Sequence, residues 1–188
     1  IEDYPRIGSL LQPEQIVKYG ELTLRENQIA YAEPSFFRLF DFELLKGDKK
    51  TCLSMPGQVV ITERIASKYF KDEDPIGKIF IFTGAYDKIS CEVTGVMKEM
   101  PSNSHIHYSF LISYKSLPKY MQEYWYKHEA YTYVLLDSPE RKAEIEREFP
   151  VMAEKYKTDE ALKNKTWGVS LIPLADIHLT PQVGYEAE

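Results

Sequence analysis

Cysteine is scarce in this chain, with two residues, Cys52 and Cys91, among 188. That is too few for a disulfide framework, and it leaves one bridge or two buried thiols as the choices. No apolar run approaches the roughly 18 residues needed to cross a bilayer. Positive charge is also in deficit, 23 basic against 29 acidic residues for a net charge of -6. Broad nucleic-acid binding and adhesion to an anionic membrane both need a basic face, so this balance argues against them. The phosphate-binding loop is missing: Gly77-Lys78 lacks the upstream glycine and the following Ser or Thr. ATP is therefore not bound here by that route. There is no G-x-S-x-G elbow and no C-x-x-C pair, and His128-Glu129 lacks the second histidine of a zinc-protease helix. Internal repeats, low-complexity tracts and flexible linkers are absent as well. The first residue is Ile rather than Met, and the chain reads as a piece of a longer protein.

What is present suits a folded domain. The sequence is 44% hydrophobic, enough to bury a core, and its length allows one domain or two small lobes. Alternation over residues 1–33 predicts strands, with two short ones around a turn at Glu26-Asn27. Pro34 suits the first turn of a helix, and Ser35 to Phe40 can make two turns that place Phe36, Phe37 and Phe40 on one face. "QVVITERIASKYF" predicts a strand, a Thr62 cap and a helix with an Ile65, Ala66, Tyr69 and Phe70 stripe. "IFIFTG" and "SCEVTGVMKEM" predict two strands. "AYTYVLL" predicts another, and "TWGVSLIPLADIHL" a last one. Residues 139–157 predict a helix with Ile145, Phe149, Met152 and Tyr156 on one face, kinked or split at Pro150.

Candidate chemistry is thin. His105 and His107 would share one face of a strand and could approach one metal ion, but no third ligand is evident; ordinary hydrogen bonding is the alternative. The acidic loop at Asp72, Glu73 and Asp74 has Gly77 where a calcium loop needs glycine, but Thr83 where it needs Glu. Tyr124-Trp125-Tyr126 could stack on a ligand or fill a core.

The order of segments carries more information. "YAEPSFFRLFDFELLKGD", "VVITERIASKYFKDEDPIGK", "CEVTGVMKEMPSNSHIHYSFLISY", "YTYVLL" and "LIPLADIHL" follow one another. In this order they resemble the MacB-like periplasmic core domain of FtsX-type ABC transporter permeases, in the form common in Bacteroidetes. The phrase D-P-S-F-F-x-x-F-D-F-x-L-x-x-G falls on Glu33 through Gly47, with Glu33 in place of Asp. A second phrase falls on Ile61 through Lys78, with Lys71 where the family has glycine. T-G-V falls on Thr94 to Val96, and P-x-N-S-H-I on Pro101 to Ile106.

The resemblance implies an α+β domain of two lobes. A porter-like α/β lobe is expected from residues 1–32 and 114–180, and an inserted, sabre-like β-rich lobe from 33–113. Residues 181–188 are expected to exit toward the next transmembrane helix. It further implies a non-catalytic periplasmic domain of an inner-membrane permease, without a cofactor of its own, since ATP would be bound by a separate nucleotide-binding domain or subunit. Implied partners are the permease's own transmembrane helices, a second permease copy or half, the ABC ATPase subunit, and a periplasmic adaptor or lipoprotein; no nucleic acid is among them. The alternative is a module capturing a peptide, lipid or antibiotic. Phe36, Phe37, Phe40 and Phe42 are expected to anchor the inserted lobe. Pro75 and Gly77 are expected to shape a loop, and Asn103, Ser104 and His105 to tie down a turn. With the membrane spans outside it, the piece alone is expected to be a monomer.

Overall fold

A computed structural model of the chain describes residues 6–8, 14–84, 88–122, 131–156, 164 and 168–179. They fall into two compact units, one holding the described residues up to 122 together with 131–134, the other those from 135 to 179.

The first unit is built on one sheet. Its strands are β1 (Arg6–Gly8), β2 (Glu14–Tyr19), β3 (Leu22–Asn27), β4 (Ile29–Ala32), β5 (Leu44–Lys46), β6 (Gln58–Thr62), β7 (Ile79–Thr83), β8 (Lys88–Met97), β9 (Phe110–Ser113) and β10 (Tyr131–Thr132). The order is β10-β1-β4-β9-β6-β8-β7-β2-β3, with β5 added along β8. Two neighbouring pairs, β4 with β9 and β6 with β8, are parallel; the others are antiparallel. Helices α1 (Phe36–Leu39), α2 (Glu63–Phe70) and α3 (Lys119–Gln122) belong to this unit. The fold class is α+β. The lobe boundaries expected at 32/33 and 113/114 both fall inside this unit: the first separates β4 from α1, the second β9 from a short 3-10 turn.

The central strands bury both faces, and their side chains alternate between two cores with period 2. Val59 and Ile61 of β6, Phe110 and Ile112 of β9, and Ile29 and Tyr31 of β4 enter one cluster. Val60, Leu111, Ala30 and Ala32 of the same strands enter the other. Helix α2 covers the first face with Ile65, Tyr69 and Phe70. It starts on Thr62, whose Oγ1 accepts a bond from the Ile65 N–H at 3.4 Å. Rings of Tyr69 and Phe70 meet Phe80 edge-on at 4.9 and 5.3 Å, and Phe82 meets Phe110 at 5.5 Å.

Strand β8 is bulged. Val59 pairs with Val93, but Val60 pairs with Gly95, leaving Thr94 as the extra residue. Its hydroxyl donates to the carbonyl of Cys52 at 2.6 Å. Gly95 suits the place, since a Cβ there would meet Val60 at 3.1 Å and the Lys46 carbonyl at 3.3 Å, and both would have to give way. Gly47 follows β5 at φ +95, and a Cβ on it would run into the Thr94 carbonyl oxygen. The Thr94-Gly95-Val96 phrase is thus the bulge where β5 crosses onto β8.

Three elements differ from the sequence reading. Among the described residues of "AYTYVLL" only Tyr131–Thr132 are strand, paired with Arg6 and Ile7 of β1; beyond them Leu135 is 69% exposed. The expected last strand is absent among the described residues: the Leu171 N–H goes to the Glu146 carboxylate at 2.8 Å, and a 3-10 helix spans Leu174–Leu179. Helix α4 (Arg141–Tyr156), in the second unit, runs unbroken through Pro150; Ala153 is buried, while Met152 of the expected face is 39% exposed.

Candidate functional site

The aromatic segment after β4 closes the second face of the sheet. Pro34 and Ser35 form a turn, and α1 is a single turn of helix rather than two. It presents Phe36 and Phe37, both buried, to the cluster. Phe36 is the hub. Phe37 meets it edge-on at 5.1 Å, Phe42 stacks on it at 5.5 Å, and Phe40 lies 5.2 Å away. The small Ala30 and Ala32 of β4 leave room for these rings, and Leu53, Met97, Ile106 and Tyr108 complete the cluster.

His105 joins at the rim. Its Nε2 lies 3.0 Å from the Tyr133 hydroxyl, and its ring is 6.3 Å from Phe40. Phe40 meets the Tyr133 ring edge-on at 5.0 Å. Burial pushes the Tyr133 phenol well above its ordinary range, so it stays protonated. The turn before His105 closes through the Ser104 N–H, which donates to the Pro101 carbonyl at 2.9 Å. The Ser104 hydroxyl accepts from the Ile106 N–H at 3.0 Å, and Asn103 lies exposed at the turn's tip. Phe36, Phe37, Phe40, Phe42 and His105 therefore come together.

Pro75 and Gly77 lie outside that cluster, in the loop before β7. Pro75 is buried; Gly77 has φ +80 and donates its N–H to the Val93 carbonyl at 2.9 Å. The acidic residues of this loop bind protein groups. Glu73 accepts from Lys78 at 2.8 Å, which lowers its pKa. Asp74 accepts from the Ile76 N–H and from Lys46, and these lower its pKa too. Among the described residues, no group of three or more His, Cys, Asp or Glu side chains could hold a metal.

Cys52 and Cys91 are free and buried in clusters on opposite faces of the sheet. Burial pushes each thiol up to about 12, which keeps it protonated and unreactive. The Tyr124-Trp125-Tyr126 cluster and the exit segment 181–188 lie outside the described residues.

Two polar arrangements escape the sequence reading. Glu26, read there as part of a turn, is a buried residue of β3. It accepts from Lys68 and from the Tyr69 hydroxyl, each at 2.7 Å. Burial and this bond hold the Tyr69 phenol far above its usual range. Gln28 has φ +57, an uncommon conformation for a residue with a side chain. Its carbonyl accepts from the N–H groups of Ser109 and Phe110, and its side chain from the Ser109 hydroxyl, to which Arg64 also donates. Ser109 lies 81 positions away, so no local pattern announces the contact.

The described geometry is that of a scaffold domain: one sheet, a core on each face of its central strands, and polar groups engaged with one another. The chain belongs to the MacB-like periplasmic core domain family, whose profile matches residues 4–150. Known structures share the fold. A domain assigned to a permease protein from Porphyromonas gingivalis superposes with a TM-score of 0.68 at 19% identity, over 92% of this chain and 77% of that one. The periplasmic region of MacB from Actinobacillus actinomycetemcomitans gives 0.55 at 15%, over 82% and 67%. The extracellular domain of the noncanonical ABC-type transporter YknZ from Gram-positive bacteria gives 0.53 at 17%, over 80% and 74%. No curated protein sequence matches the chain.

Proposed function

We propose that this chain is the extracytoplasmic domain of an ABC transporter permease subunit, a non-catalytic part that carries ATP-driven motion of the transmembrane helices to the far side of the membrane. Family membership over residues 4–150 is the observation that carries the reading. The packing supports it physically. A domain that transmits motion must move as a body, and a sheet packed on both faces resists bending. Phe36, Phe37, Phe40 and Phe42 serve here as the rigid cover of one face rather than as a ligand platform. The partners in this reading are the permease's own transmembrane helices, a second permease copy or half, and an ABC ATPase. A periplasmic adaptor or lipoprotein is a further candidate, and the permease would sit in the inner membrane.

The test uses the full-length permease reconstituted with its ATPase. Two copies of this domain are joined by a reducible cross-link, and ATP turnover is measured before and after reduction. Arrest by the link and recovery on reduction is the expected result. Turnover indifferent to the link would remove the coupling role.

A further inference from the structure

The sheet ends at β3, and the far side of this strand faces no other strand among the described residues. An open strand edge is a template for pairing unless something blocks it. Which residues offer their backbone there follows from the hairpin. The two-residue loop Gly20-Glu21 closes on the pair Tyr19↔Leu22, with Gly20 at φ +55 in the first loop position. The closing pair exchanges hydrogen bonds, and such pairs alternate along the ladder. Leu22, Leu24 and Glu26 therefore direct their N–H and C=O groups at β2. Glu21, Thr23 and Arg25 direct theirs outward.

Antiparallel pairing of two β3 strands about a two-fold axis must set outward residues against outward residues. Five registers within β3 satisfy this, centred on Leu22, Thr23, Leu24, Arg25 or Glu26; the last sets the buried Glu26 against its own copy. The Arg25 register opposes two arginines. The Leu24 register sets Leu22 against the partner's Glu26, and the Leu22 register leaves Glu21 opposite threonine. Only the Thr23 register sets Glu21 against the partner's Arg25, twice, and Leu22 against the partner's Leu24, twice. The two sets use different faces, since Arg25 pairs with Ile16 on the outer face and Leu24 with Val17 on the core face. Leu24 already packs on the first core, while Leu22 is 39% exposed at its border. Arg25 is exposed and only loosely engaged by Glu14, at 3.6 Å.

We propose that β3 is the edge through which two copies of this chain pair, antiparallel about Thr23. This departs from the monomer expected of the piece alone, and it does not depend on the transport reading.

The test is Thr23→Cys in the 188-residue chain, treated with a short bis-maleimide. The native thiols are buried, so the unsubstituted chain serves as the blank. The expected result is a linked dimer from T23C. Adding Glu21→Lys, which sets Lys against Arg twice per dimer, lowers the linking rate about tenfold. Adding Arg25→Glu to that variant restores it. These positions lie on the exposed hairpin, and circular dichroism confirms the fold of each variant. A T23C chain that stays monomeric overturns the proposal and leaves the edge to some other strand. Equal linking in all charge variants marks random collision and overturns it as well.

Discussion

Replacing Lys71 by glycine will stabilise the domain. Lys71 ends α2 at φ 55, ψ -111, outside even the small left-handed region that residues with a side chain can use. A residue held in so sparse a region costs about 1–3 kcal/mol, persisting only because its surroundings impose it. Here the imposing group is the helix end: the Lys71 N–H donates to the Ser67 carbonyl at 3.1 Å. Glycine keeps that N–H and removes the steric cost. It adds about 0.5–1 kcal/mol of extra chain entropy lost on folding. The Lys71 side chain is exposed, so no core packing is lost. The net gain is about 1 kcal/mol, or a melting temperature roughly 2–4 °C higher for a chain of this size. Thermal unfolding followed by circular dichroism measures it. Lys71→Ala is the control, because it removes the side chain and keeps the strain; its effect stays within about 0.5 kcal/mol. A destabilised K71G, or a K71A that gains as much, would refute the reasoning.

Two further outcomes follow from the cores. Phe36→Ala empties the hub of the second cluster and costs about 3–5 kcal/mol, whereas Phe42→Ala, at a partly exposed ring, costs about half as much; urea midpoints separate them, and equal losses would deny Phe36 its central place. Stability also falls with rising pH above about 9. Cys52 and Cys91 keep their protons in the fold up to about 12, while the unfolded thiols release theirs near 9.0. Each thiol removes about 1 kcal/mol per pH unit within that window, and the raised phenols of Tyr69 and Tyr133 act in the same direction. Cys91→Ala has a shallower decline of the denaturation midpoint between pH 8 and 11; an unchanged slope would count against a buried, protonated thiol.

Local signals made parts of the fold legible. The β-branched run Val59-Val60-Ile61 before a Thr62 cap and an apolar stripe foretold β6 and α2, because strand and helix periods differ and the cap marks the switch. Strands without a partner were not legible. "AYTYVLL" has the composition of a strand, but pairing decides the outcome, and among its described residues Tyr131 and Thr132 are the ones that pair, with β1. The hairpin at Gly20-Glu21 was hidden because alternation runs straight through it on both sides. The polar links were hidden by distance: Glu26 to Lys68 and Gln28 to Ser109 join residues far apart in sequence.

The aromatic segment shows what a pattern can and cannot give. Spacing alone places Phe36, Phe37 and Phe40 on one face, but it does not say what that face meets. The answer lies on β4, where Ala30 and Ala32 alternate with Ile29 and Tyr31. Large residues on one face of the strand and alanines on the other mean that the second core must bring its bulk from elsewhere. The rings of residues 36–42 supply it. This accounts for large apolar rings packed within seven positions, directly after the strand whose alanines share their cluster. Exchanging bulk across that contact tests the argument. Ala30→Val alone overpacks the cluster and destabilises by about 1–3 kcal/mol. Combined with Phe37→Leu it recovers part of that loss, as residues that share one cluster couple. Strict additivity of the two substitutions would show that the rings and β4 do not share one space.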